Sequence, residues 1–169
     1  MIHRVLTVVI ALLLTSCGYH LVGHGDGSGV IPKDVMTVSI ETSGAMAQQM
    51  AVLLQRQISA SDHYKVVASD EVIDEQMHAV MRIEQASETF SPSAYDQSGL
   101  AIQYRMTIRA NVRLFRQGEK LWESGVISKS DDVFVSGGPT GIESSRKRSR
   151  EDLQKEWIYA VWARINSGF

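Results

Sequence analysis

Two groups of cations and one thiol are the residues whose type and spacing could do chemistry in this 169-residue chain. Arg105, Arg109 and Arg113 recur every four residues, about 13 Å apart if the segment is a strand rising ~3.3 Å per residue. A second group, Arg146-Lys147-Arg148-Ser149-Arg150, is nearly continuous. Arginine suits phosphate because its planar fork donates two parallel hydrogen bonds at once. The net charge is only −2, from 17 basic and 19 acidic residues, but it is unevenly spread. Gly18 to Leu100 carries 4 basic and 11 acidic residues, whereas Ala101 to Phe169 carries 12 and 8. A positive half in an acidic protein points to an anionic partner. The ordinary alternative is a solvated surface of strand and helix.

Catalytic patterns are missing. The histidines are His3, His20, His24, His63 and His78, with no H-E-x-x-H and no Cys/His cluster. His20 and His24 have a spacing that would suit a metal on a helix, but the glycines around them oppose a helix. No Gly-x-Ser-x-Gly elbow occurs. Asp70, Glu71, Asp74 and Glu75 read as a solvated turn, and Asp131-Asp132 as an exposed strand end. Gly23, Gly25, Gly27 and Gly29 lack the preceding strand and following helix that a phosphate loop requires. The expectation is a binding protein without enzymatic activity, metal or cofactor.

Cys17 is the only cysteine, so the chain cannot form an internal disulfide. His3 and Arg4 precede a run from Val5 to Leu14 that is apolar except for Thr7. A permanent transmembrane helix needs about 20 apolar residues, so this run has the length of a signal-peptide core instead. Leu14, Thr15 and Ser16 before Cys17 resemble the bacterial lipobox, where small residues let the peptidase close on the backbone. Residues 1–16 are thus expected to be a removed signal and Cys17 the lipidated first residue. Residues 17–33, rich in glycine, form a tether. Gly18 after the cysteine, by resemblance to lipoprotein sorting, points to the periplasmic side of the outer membrane. An envelope location makes nucleic acid a poor partner for the arginines and phosphorylated lipid a better one.

The elements that must position these residues occupy one domain over 34–169. Met36, Val38 and Ile40 alternate with polar residues in a strand from Val35 to Glu41. Thr42 or Ser43 could cap a helix from about Ala45 to Ala60, whose stripe is Met46, Met50, Leu53, Leu54 and Ile58. Tyr64 to Val67 is a short extended piece, and His78 to Thr89 a strand with Ala79, Met81 and Ile83 inward. A loop from Ser91 to Gly99 leads to the clearest alternation, Ile102 to Arg113, which implies a sheet with one dry and one open face. The arginine row lies on the open face, as a possible contact for an anionic ligand or a barrel wall. Gln117-Gly118-Glu119 turns the chain into a return strand to Ser130. A polar loop over 136–145 and the basic run precede a final helix to about Ile165, striped by Leu153, Trp157, Val161 and Ile165. The expected fold is α+β, with two helices on one face of a mostly antiparallel four-stranded sheet.

Cys17-Gly18-Tyr19-His20-Leu21-Val22-Gly23 resembles the start of the LptE lipoproteins, which serve lipopolysaccharide assembly in Gram-negative outer membranes. The resemblance continues through Ile31-Pro32, the first strand and helix, Tyr104-Arg105-Met106 with its hairpin, and Glu151-Asp152-Leu153. It departs at Ser69 to Gln76. It implies a plug inside the LptD β-barrel that assists barrel assembly and binds lipopolysaccharide through basic residues before the last helix. Here those residues are Arg146, Lys147, Arg148 and Arg150. The family's second contact zone, the tip of the 91–99 loop, carries Tyr95 and Asp96 and no cation in this chain. A different reading of the same residues is a pilot or assembly lipoprotein for another outer-membrane barrel or a secretin.

Overall fold

The structure, a computed structural model, describes residues 29–72, 74–135 and 138–168. Cys17, the lipobox and the His20/His24 pair lie outside these residues. The chain runs β1 (Thr37–Thr42), α1 (Ala45–Ser59), β2 (Lys65–Val66), β3 (His78–Tyr95), β4 (Ala101–Arg116), β5 (Glu119–Phe134) and α2 (Gly138–Ser167). Two short 3-10 turns, Ser69–Glu71 and Glu75–Met77, lie between β2 and β3.

The α+β class and the two helices match the sequence reading, but the sheet does not. It has five strands in the order β2-β1-β3-β4-β5 and is mixed. β1 is parallel to both β2 and β3, while β3-β4-β5 form an antiparallel meander. The physical reason is α1. Its 15 residues carry the chain back about 22 Å, so the strands that follow enter from the end where β1 began. The additional strand, β2, contributes only the pairs Thr37↔Lys65 and Val38↔Val66, too short to stand out in sequence.

α1 buries Ala47, Met50, Leu54 and Ile58, the three- and four-residue spacing of an amphipathic helix. Neither Thr42 nor Ser43 caps it. Thr42 ends β1, and Gly44 occupies the cap with φ 93° and no side-chain bond. The long helix α2 buries Leu153, Trp157, Val161 and Ile165, each four residues from the last, together with Ile158. Opposite them β4 supplies Met106, Ile108, Ala110, Val112 and Leu114. Gln117 (φ 51°) and Gly118 (φ 80°) make the tight β4–β5 turn. The N-terminal segment is also packed. Ile31 and Val35 are buried, and the Val30 amide donates to the Ile165 carbonyl at 2.8 Å.

β3 runs on to Tyr95, through most of the expected 91–99 loop. What remains is a turn organised by Asp96, whose Oδ1 accepts from the amides of Ser98 and Leu100, each at 2.9 Å. More consequential is a bulge between Glu84 and Ser87, with Gln85 at φ 55°. A bulge inserts a residue and reverses which face each later side chain meets. Before it, Ala79, Met81 and Ile83 point to the helices. After it, Ala86, Glu88 and Phe90 do, because Glu88 stands opposite Ile108 and Phe90 opposite Met106.

Candidate functional site

The basic run lies inside α2, not in a loop before it, because the helix starts at Gly138. Glycine followed by proline suits a helix start, since proline's missing N–H falls where no intrahelical acceptor exists. As a helix, the run splits by face. Arg146 and Arg150, one turn apart, lie toward the sheet, whereas Lys147 and Arg148 are exposed.

Glu88 receives both inward arginines. Arg146 Nη2 lies 2.9 Å and Nε 3.2 Å from Glu88 Oε1. Arg150 Nη2 lies 2.8 Å from the same oxygen, and Nε 2.5 Å from Oε2. The Glu88 side chain is 13% exposed, so the pairing satisfies a largely desolvated carboxylate. The Arg146 guanidinium also sits 5.3 Å from the centre of the Phe90 ring. Phe90 stacks on Tyr104 at 4.6 Å, with 6° between their planes. Ser149 completes the contact by donating to Asp131 Oδ2 at 3.0 Å.

Hydrogen bonds from Arg150 and then Arg146 hold the Glu88 carboxyl below its ordinary value of 4.5, against the opposing effect of burial. A depressed carboxyl contributes stability that is full above the ordinary value and is lost as pH falls through the folded one. Glu88→Gln is therefore expected to lower stability by about 1–2 kcal/mol at neutral pH, as for loss of a charged hydrogen bond. The difference between the two proteins should shrink toward zero in acid. Urea midpoints at pH about 7 and about 3 check this; a pH-independent difference would contradict it.

Lys147 and Arg148 take part in no ion pair among the described residues. On the open sheet face the arginine row is mostly occupied. Arg105 makes a two-bond contact with Asp132 directly across the sheet, at 2.8 and 2.9 Å. Arg113 lies 2.7 Å from Glu84 and 3.2 Å from Glu123. Glu123 accepts from Lys120 and Asn111 as well, and its carboxyl is pulled down to about 2. Arg109, exposed between Ser87 and Ser128, joins no ion pair among the described residues. Apart from Arg109, the arginine row of the open face is thus tied up in ion pairs, and on α2 Lys147 and Arg148 are exposed without one among the described residues.

The same end of the molecule carries exposed apolar residues. Phe134 (74%), Leu100 (67%), Tyr95 (60%) and Ile102 are exposed where β3 and β5 end, β4 begins and α2 starts. Cations beside apolar surface fit an amphiphile with anionic groups. Among the described residues no group of three or more His, Cys, Asp or Glu is placed to hold a metal ion, and no helix is long and apolar enough to cross a membrane. Glu88 was not apparent as part of the site from sequence, since unbroken alternation put Glu88 on the open face. The available signal was an isolated carboxylate in Ala86-Ser87-Glu88-Thr89-Phe90 and two arginines four apart far downstream.

A family model described as LptE, lipopolysaccharide-assembly, matches residues 35–161. Among curated proteins no relative matches by sequence. Solved structures of similar fold include uncharacterized lipoprotein B from Nitrosomonas europaea, at 18% identity and TM-score 0.65, covering 89% of this chain and 92% of that one. A minor lipoprotein from Acinetobacter baumannii is similar at 10% identity and TM-score 0.62, with 81% and 95% covered. The rare lipoprotein B of Shewanella oneidensis is similar at 14% and TM-score 0.54, with 75% and 92% covered. At these identities the structures speak to fold alone.

Proposed function

Because the chain belongs to the LptE family of lipopolysaccharide-assembly proteins, we propose that it is a non-enzymatic outer-membrane lipoprotein, lipidated at Cys17, that plugs and helps assemble the LptD barrel and binds lipopolysaccharide. The observation that carries the ligand reading is the exposed pair Lys147–Arg148, unpaired among the described residues and adjoined by Arg146 and Arg150 on the same turns of α2. Lipopolysaccharide offers phosphates to the cations and acyl chains to the apolar residues around Phe134, Leu100 and Ile102. Arg109 is the member of the sheet row that remains open to an anion or to the barrel wall; Arg105 and Arg113 would first have to leave their carboxylates.

Neutralising all four cations of the run would confuse two effects, since it would strip Glu88 of its partners and loosen α2. Lys147→Gln combined with Arg148→Gln leaves that packing untouched. The double variant is expected to bind purified lipopolysaccharide about tenfold more weakly, the scale of one or two charged hydrogen bonds. It should co-purify with LptD in unchanged yield. Equal lipopolysaccharide binding would remove the exposed pair from the mechanism. Recovery of a different barrel or a secretin as the stoichiometric partner would favour a pilot role instead.

A further inference from the structure

We propose that Glu88 is a latch that holds the start of α2 on the sheet, and that a phosphorylated ligand opens it by taking Arg146 and Arg150 from Glu88. This rests on the reading of the α2 cations as a site for phosphorylated lipid. The first observation is where α2 lacks apolar anchorage. From Thr140 to Arg148 no residue is buried, and Ile142 is only half-buried. Buried positions begin at Ser149 and continue through Leu153, Trp157, Val161 and Ile165. The early turns are thus held by polar contacts, Glu88 to Arg146 and Arg150 and Ser149 to Asp131.

The second observation is that these contacts are ones a phosphate can replace. Arginine pairs with carboxylate and phosphate in the same forked geometry, and phosphate brings more charge. Exchange of one anion for another leaves the arginines satisfied, and opening lets water reach Glu88 in their place. A ligand shifts such an equilibrium only by its differential affinity for the two states. Closed α2 offers it Lys147 and Arg148; open α2 adds Arg146 and Arg150.

A third observation concerns what the latch covers. Arg146 lies over Phe90, which is stacked on Tyr104, and both rings are only partly buried. Tyr104 follows exposed Ile102 on the same face of β4 by strand alternation. Lifting Arg146 would extend the exposed apolar end inward along that face, giving acyl chains a platform beside the phosphate-bound arginines.

Amide hydrogen exchange on the full lipidated chain tests the latch, with purified lipopolysaccharide and, separately, inorganic pyrophosphate as probes. Peptides over 140–149 are expected to exchange at least about fivefold faster at saturation, the lower range of couplings between sites. Those over 153–165 should not change. Glu88→Gln should raise exchange over 140–149 without ligand and bind pyrophosphate about fivefold more tightly, because the internal competitor is gone. Slower exchange over 140–149 in the ligand-bound native chain would overturn the latch, whether or not the variant folds. Weaker or unchanged pyrophosphate binding by a folded Glu88→Gln protein would do the same, since it would make Glu88 a positioning group. If pyrophosphate opens α2 while lipopolysaccharide does not bind, the latch stands and the lipid reading falls. If neither probe alters exchange, the latch is wrong.

Discussion

Trp157→Ala is expected to lower the unfolding free energy by about 3–5 kcal/mol, the range for removing a large aromatic from a core. Trp157 is fully buried, and its indole N–H donates to the Ile127 carbonyl at 3.2 Å. The residue therefore does two things. It fills the centre of the interface between α2 and the sheet, and it ties the helix to the edge strand β5. Alanine would leave a cavity between rigid elements that can collapse only partly, together with a carbonyl deprived of its donor. In a domain of this size the loss corresponds to a fall in Tm of about 10 °C or more. Trp157→Phe keeps most of the volume and loses the hydrogen bond, so it should cost about 1–2 kcal/mol. Thermal and urea unfolding of both variants measure this; an alanine variant within about 1 kcal/mol of the native chain would contradict the packing described.

Cys17→Ser, exported behind a signal that is cut without lipidation so that residues 1–16 are still removed, is expected to move the protein out of the membrane phase. Each buried acyl CH₂ contributes about 0.8 kcal/mol, and stable anchoring takes more than one chain. All the chains would be lost with one residue, because no second thiol exists to accept lipid. No described helix could substitute as a spanning segment. Detergent phase partition of the purified chain isolates the anchor from any hold exerted by a barrel. The native protein should enter the detergent phase, and the variant should favour water by more than about a hundredfold. A variant that still partitions into detergent would show that the anchor lies elsewhere.

How legible the structure was in sequence depended on how far each signal extended. The β4 alternation was readable because one side of it faces helices from Met106 to Leu114. The α2 stripe was readable because four large residues recur at the helical interval. β2 was not resolved as a strand, since two residues cannot display a period. The parallel pairing of β1 and β3 depends on which end the chain re-enters, a property of α1 as a rigid spacer and not of either strand. The Glu84–Ser87 bulge was invisible for a related reason. Nothing in Glu84-Gln85-Ala86-Ser87 demands a left-handed residue, yet Gln85 at φ 55° decides that Glu88 meets α2. The cations of the run were legible by type. Their division into two latched and two exposed residues required the helix to begin at Gly138, about three and a half turns earlier than a start after the basic run.

The bond from Val30 to Ile165 gives the molecule a mooring point. Val30 meets the C-terminal end of α2, whereas Lys147 lies 18 residues back from Ile165 along the same helix, about 27 Å away. A body moored at one end swings about that end, and its far end sweeps the widest arc. If Cys17 carries the lipid as proposed, the anchor would decide which membrane the protein belongs to, and the cations of α2 would lie far from the mooring point. If the proposed barrel encloses the domain, aim would come from the barrel, and a protein freed from it would keep its address and lose its bearing.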